Sequence, residues 1–293
     1  MKFPGNLFPT ASALLHMRFA FSFFLMPVFF FATSQAPHLI WMNTILTFIV
    51  WHLLVYPASN GYNSYFDKDE GSIALIENPP PVDKSLYNFS LFLDLLAILL
   101  SIFVSWILLV AVLIYSLFSK LYSHPSVRLK RYPAISFLIV FIFQGASVYW
   151  SSYAAVSGLS LNGWNLNFIL AGLICSCLIG ATYPLTQVYQ HKEDSQRGDI
   201  TLSIVLGIRG SFWFSAVLFG MAALLLLTYW HRLEMMKNFW LFLVFAAPVF
   251  AVFFNWFYKV YHDPSQANYK NMSKMTLVSG FIMLTYFMML NFI

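Results

Sequence analysis

Leu86–Phe118 reads LYNFSLFLDLLAILLSIFVSWILLVAVLIYSLF, and the way this run divides decides how many helices the chain has. A bilayer core takes about 20 apolar residues in a helix, so the run is too long for one crossing. It holds no Gly or Pro to mark a turn. We divide it near Val104–Ser105, into spans over 86–103 and 104–118. Working outward, further apolar runs fall at 11–33, 38–58, 132–157, 165–188, 210–229, 237–258 and 274–292. The expectation is an all-α integral membrane protein of about nine transmembrane helices in one bundle. All of 1–293 is read as a single membrane-embedded domain.

Composition agrees. The chain is 60% hydrophobic and 9% charged, with a mean hydropathy of +0.71, whereas a soluble domain is about 25% charged. The net charge of +5 needs no nucleic acid to explain it, because basic residues gather in cytoplasmic loops. With the amino terminus cytoplasmic, the segments 1–10, 59–85, 119–131, 189–209 and 259–273 lie on one side. They hold Lys2, Lys68, Lys84, Lys120, Arg128, Lys130, Arg131, Lys192, Arg197, Arg209, Lys259 and Lys270, with Lys274 at the boundary. The opposite side has Arg232 and Lys237, and Arg18 falls within the first span. This bias sets the orientation and puts the polar loops in the cytoplasm, with a bacterial inner membrane as the expected location. Cys175 and Cys177, both inside an apolar run, are read as packing residues.

The acids cluster on the same side. Asn60-Gly-Tyr-Asn63-Ser-Tyr-Phe-Asp67-Lys-Asp69-Glu70-Gly71 closes the second span. Acidic residues beside hydrocarbon mark a functional site by default. Asn63 and Asp67 are four apart and share a helix face, and Glu70 would join them at i+3. Such oxygen donors suit a hard cation of the Mg²⁺ type, which takes one or two carboxylates plus substrate phosphates. The bland reading is a polar loop ending a membrane helix.

A second constellation follows the sixth span: Thr186-Gln187-Val-Tyr189-Gln190-His191-Lys192-Glu193-Asp194-Ser-Gln-Arg197-Gly198-Asp199-Ile-Thr201-Leu202. Gln187, Gln190, His191 and Asp194, at three- and four-residue spacings, would form one polar stripe on a helix end. Lys192 and Arg197 supply charge of the kind that neutralises phosphate oxygens. Asp94 and His52, within spans, are read as paired inside the bundle.

Together the two constellations resemble the UbiA superfamily of intramembrane prenyltransferases. Its first motif is Asn-Asp-x-x-Asp-x-x-x-Asp at the end of the second helix, matched here at Asn63 and Asp67. The stretch Asn-x-Tyr-Phe-Asp followed by Gly71 is closest to the MenA-like branch, which prenylates dihydroxynaphthoate. The second motif, Asp-x-x-x-Asp followed by Gly-x-x-Thr-Leu, is matched at Asp194, Gly198, Thr201 and Leu202. Tyr115-Ser116 and Lys130-Arg131-Tyr132-Pro133 resemble the family's basic loop. Departures are Ser64, Gly71, Ile73 and Gln190 where the patterns carry Asp, and Asn78-Pro79-Pro80-Pro81 where the family has Arg-Pro-Leu.

The resemblance implies nine helices around a central cavity, with Mg²⁺ as cofactor. A prenyl diphosphate and a lipophilic, aromatic acceptor would be the partners within membrane lipid, and no nucleic acid is implied. Asp67 and Asp194 are the expected catalytic positions. Metal ligands would come from Asn63, Asp67, Asp69, Glu70, Glu193, Asp194 and Asp199. The diphosphate would meet Lys84, Lys130, Arg131, Lys192 and Arg197. Tyr65, Tyr115, Tyr183, Gln187 and Gln190 would line the substrate pocket. Two alternatives stand beside transfer: a terpene cyclase on the same fold, and a degenerate, non-catalytic lipid-binding membrane protein.

Overall fold

A computed structural model describes residues 8–74, 76–159 and 165–293. Among them, nine helices are long and apolar enough to cross a membrane. They are α1 (Ala11–Gln35), α2 (Trp41–Asp67), α3 (Lys84–Ile102), α4 (Trp106–Ser123), α5 (Pro133–Ser157), α6 (Leu166–Thr186), α7 (Leu202–Arg232), α8 (Met236–His262) and α9 (Tyr269–Met289). Lys2 of the amino-terminal segment lies outside the described residues.

The Leu86–Phe118 run breaks as expected, and a cap explains where. Ser105 is extended and its hydroxyl accepts from the Leu108 N–H, satisfying one of the orphan donors that every helix start exposes. Asp83, Asn165 and Asn268 cap α3, α6 and α9 in the same way. The apolar run of α7 began at 210 in sequence, but the helix starts at Leu202. Its first turns are joined to the rest across Gly207, at φ 69° and ψ 170°, a left-handed φ that glycine adopts without penalty.

Two spans contain a π-helical segment, and α1 a 3₁₀ segment over Phe19–Leu25. The middle of α2 (Ile49–Val55) and of α5 (Val140–Ala146) winds as π-helix. In α5 a side chain serves the loosened ladder: Ser176 of α6 accepts from the Ala146 N–H at 3.0 Å and donates to the Phe141 carbonyl at 2.6 Å. Gly145 permits that approach, since a Cβ there would stand 2.6 Å from Ser176 N.

By contacts the chain forms two compact units: 1–23, 38–129 and 154–158 in the first, 24–37, 130–153 and 159–293 in the second. The first unit packs the end of α2 between α3 and α4, around buried Trp51, Tyr56 and Tyr115. The second packs α6 on α7 and on the π segment of α5, and α9 on α8. Its core centres on Phe212, Phe253, Trp256 and Phe257. Cys175 and Cys177 are buried there as free thiols. Large apolar side chains such as Phe92, Trp106, Trp213 and Phe254 point outward, as a lipid-facing surface requires.

Candidate functional site

The first constellation lies in the first unit. Asn63 and Asp67 share one face of α2, and the Asn63 amide Nδ2 donates to Asp67 Oδ2 at 2.7 Å. Its other N–H goes to Ser123 Oγ, on the last turn of α4, at 3.0 Å. One turn earlier Ser119 Oγ donates to Ser59 Oγ at 2.7 Å, so the two helix ends are tied twice. Asp67 is the last residue of α2, followed by Lys68 in the left-handed conformation. This corrects the expected i+3 position of Glu70, which lies beyond the helix end and is exposed, with half-buried Asp69 beside it.

A carboxylate at a helix C-terminus opposes the helix dipole, so Asp67 needs a cation. Arg128 supplies one, its guanidinium 3.7 Å from Asp67 Oδ1. Arg128 has φ 46°, a conformation that costs a non-glycine residue free energy and tends to persist at functional sites. Sequence reasoning placed Arg128 only among the loop charges. Its position two residues before the Lys130-Arg131 pair was the available signal.

The first motif is backed by a buried ion pair. Lys120 of α4 meets Asp94 of α3, Asp94 accepts from Ser116 Oγ at 3.0 Å, and the Lys120 ammonium lies 4.6 Å from the Tyr62 ring centre. Asp94 is therefore paired inside its unit, as expected. His52 is buried beside the Ser22 carbonyl at 3.3 Å. Tyr65 is half-buried and packs on Phe66 and Tyr87, while Tyr115 is buried against Trp51 and Tyr56. Lys84 opens α3 and is exposed. Beside it, burial would raise the Asp83 carboxyl, but hydrogen bonds from Ser85, Thr10 and Leu86 outweigh it and hold the group below its usual value.

The second constellation lies in the second unit and differs from the expected stripe. Helix α6 ends in a 3₁₀ turn at Thr186, and a separate short helix covers His191–Gln196. Gln187 therefore leaves the stripe: it is buried, and its Oε1 accepts from the Ser203 N–H at the start of α7 at 3.3 Å. Glu193 and Asp194 occupy the first turn of the short helix, where negative charge is favoured. Arg197 pairs with Glu193 one turn on. Asp199 is buried and its carboxylate meets Lys130 Nζ at 3.1 Å. Thus one expected metal ligand and one expected diphosphate contact engage each other. Arg131 turns to Tyr132, donating to its hydroxyl at 3.0 Å. Lys192 is exposed, Gln190 half-buried, and Tyr183 buried against Phe137.

His191 is tied to the start of α7 through a chain of hydroxyls: its Nε2 lies 2.6 Å from Ser203 Oγ, Ser203 Oγ lies 2.8 Å from Ser211 Oγ, and Ser211 Oγ reaches the Gly207 carbonyl at 2.8 Å. Burial holds His191 below the usual imidazole value.

Asn63 and Asp67 in the first unit, and separately Asp194 in the second, offer oxygen donors of the kind that suit a hard cation. Among the described residues no group of three or more His, Cys, Asp or Glu converges as a metal cage. An ion at either place would take few protein ligands and complete its shell with phosphate oxygens and water, as Mg²⁺ does.

No curated protein matches the chain. Solved structures do. A UbiA homologue from Archaeoglobus fulgidus, bound to DMAPP and Mg²⁺, is 13% identical over 97% of this chain and 100% of its own, with a TM-score of 0.71. The apo structure of a UbiA homologue from Aeropyrum pernix K1 is 16% identical over 94% and 99%, at 0.70. A structure of digeranylgeranylglyceryl phosphate synthase is 20% identical over 96% and 98%, at 0.61. At these identities the likeness is one of fold. The model of the UbiA prenyltransferase family matches residues 21–280, most of the chain and both constellations, and the protein belongs to that family.

Proposed function

We propose that this protein transfers a prenyl group from a polyprenyl diphosphate to a lipophilic, aromatic acceptor within the membrane, as one catalytic domain whose polar loops face the cytoplasm. Family membership supports prenyl transfer in general. The observation that supports the finer reading is the Asn63–Asp67 pair on one face at the end of α2, which sets oxygen donors for a metal beside the Arg128 guanidinium, a partner for phosphate oxygens. Homologues of this fold bind DMAPP or GPP together with Mg²⁺.

In this reading Asp67 and Asp194 are the principal metal ligands, with Asn63, Asp69, Glu70 and Glu193 beside them. When bound, Mg²⁺ supplies Lewis acidity toward the diphosphate oxygens. The chain's own cations, Arg128, Lys84, Arg131, Lys192 and Arg197, stabilise the charge that gathers on the leaving diphosphate. The allylic C–O bond breaks and diphosphate leaves with the electron pair. A ring carbon of the acceptor forms the new C–C bond, and the ring then loses a proton. Half-buried Tyr65, beside Asp67 on α2, would shield the allylic cation through its ring face. Lys130 and Asp199, engaged with each other, act by holding the basic loop rather than as separate ligands. Gln190 and Gly71 lack the family's carboxylates, and a dihydroxynaphthoate-like acceptor follows from the Asn-x-Tyr-Phe-Asp stretch.

The test is pyrophosphate release from a panel of allylic diphosphates, with and without Mg²⁺ and with dihydroxynaphthoate as one acceptor. Metal-dependent release that Asp67→Ala and Asp194→Ala both abolish is the expected result. Release with a cyclised product and no acceptor would make the protein a terpene cyclase. No release above the variants would make it a non-catalytic lipid-binding relative.

A further inference from the structure

The Asn63 side chain has two N–H bonds, and the structure spends both. One goes to Asp67 Oδ2 at 2.7 Å and the other to Ser123 Oγ at 3.0 Å. What the amide has left to offer is its carbonyl oxygen, Oδ1. Rotating the amide by half a turn would set Oδ1 against the Asp67 carboxylate, two acceptors facing each other. The Ser123 hydroxyl could turn its own proton to meet Oδ1, so it does not by itself choose between the two orientations. Asp67 penalises that flip wherever the side chain goes. Ser123 adds something Asp67 cannot: a second fixed point, on another helix, that holds the amide plane.

Ser123 can do this because it is buried on an anchored helix end. It is 1% exposed and belongs to the last turn of α4, which is anchored on two sides. Ser119 donates to Ser59 of α2, and Lys120 meets Asp94 of α3. The hydroxyl thus stands on a rigid element, the condition for a supporting group to orient a ligand precisely. No sequence motif marks it.

We infer that Ser123 is a positioning residue for the cation site: with Nδ2 donating to both Asp67 and Ser123, it holds the Asn63 amide plane so that Oδ1, and not Nδ2, is left to face a cation. The inference rests on the proposed reading of Asn63 and Asp67 as ligands. Groups that orient metal ligands typically contribute 10- to 100-fold in affinity. An amide still held by Asp67 should fall at the low end, about 10-fold.

The experiment titrates Mn²⁺, a paramagnetic stand-in for Mg²⁺, into the detergent-solubilised full-length protein. Free ion is read by electron paramagnetic resonance, with and without an unreactive allylic thiolodiphosphate. Ser123→Ala should weaken Mn²⁺ binding about 10-fold, and Ser123→Thr, which keeps the hydroxyl, should restore it to within about twofold. Ser119→Ala removes a hydrogen bond between the same two helices one turn away and should leave Mn²⁺ affinity unchanged. Equal affinity in Ser123→Ala and wild type would overturn the inference while leaving the prenyltransferase reading intact. An equal loss in Ser119→Ala would also overturn it, by showing that only helix contact matters. Absence of any wild-type Mn²⁺ binding sensitive to Asp67→Ala would overturn the proposed cation site itself.

Discussion

Removing the ammonium of Lys120 is the sharpest test of how the first unit is held together. Asp94 and Lys120 are 9% and 19% exposed at their side chains and lie on adjacent spans. Lys120→Met keeps the chain length and its packing on Tyr62 but leaves the Asp94 carboxylate with Ser116 as its remaining hydrogen-bond partner among the contacts described above. Breaking a buried pair by deleting one partner costs about 3–5 kcal/mol, whereas replacing both by apolar groups is often neutral. The hydrogen bond that Ser116 keeps to the carboxylate favours the lower end, about 3 kcal/mol. At roughly 2–4 °C per kcal/mol for a chain of this order, the apparent melting temperature should fall by about 6–12 °C. The assay is thermal melting in detergent, read as the monodisperse fraction surviving on size exclusion. Asp94→Leu combined with Lys120→Met should recover most of the loss, giving a coupling of about 2 kcal/mol or more. An unchanged melting temperature in Lys120→Met, or a double variant as unstable as the sum of the singles, would refute the argument.

Gly145→Ala should destabilise the second unit by about 1–3 kcal/mol, because its Cβ would stand 2.6 Å from Ser176 N, a backbone atom. Gly220→Ala, with nothing within 4 Å, should be neutral or stabilising by up to about 1 kcal/mol in the same melting assay. Ser176→Ala deprives the Ala146 N–H and the Phe141 carbonyl of their shared partner and should cost about 1–3 kcal/mol; hydrogen exchange at Ala146 would report it directly. Asp83 is held below the usual carboxylate value by hydrogen bonds from Ser85 and Thr10, so the folded state binds this proton less readily than the unfolded one. Its contribution is complete above pH 3.8 and is lost as pH falls through the lower folded value. Asp83→Ala should flatten that acid limb, and at neutral pH should cost about 1 kcal/mol of cap stability.

Much of the architecture was legible in the residues because the forces that set it are local. Apolar length acts on each segment by itself and required Leu86–Phe118 to break, and the Ser105 cap that fixes the break acts within one helical turn. The break between α3 and α4 was therefore placed from sequence to within a residue or two. The Asn63–Asp67 hydrogen bond was equally readable, since four residues make one turn of helix. Where the helix stopped was not: Asp67 ends α2 and Lys68 turns left-handed, which removed Glu70 from the face it was expected to share.

The partners of the charged groups belong to tertiary structure alone. Asp94 with Lys120, Asp199 with Lys130, Asp67 with Arg128, and Asn63 with Ser123 each join elements that no local rule brings together. Gln187 looked like part of a helical stripe and instead caps α7, because the N–H groups at a buried helix start must find an acceptor. The π-helical turns of α2 and α5 left no mark in the apolar pattern either, for they depend on a neighbour such as Ser176 reaching the loosened ladder. Hydrophobic periodicity states how often a chain crosses the membrane, since hydrocarbon acts on each segment separately. Which polar groups meet depends on how the segments pack, and that is a property of pairs.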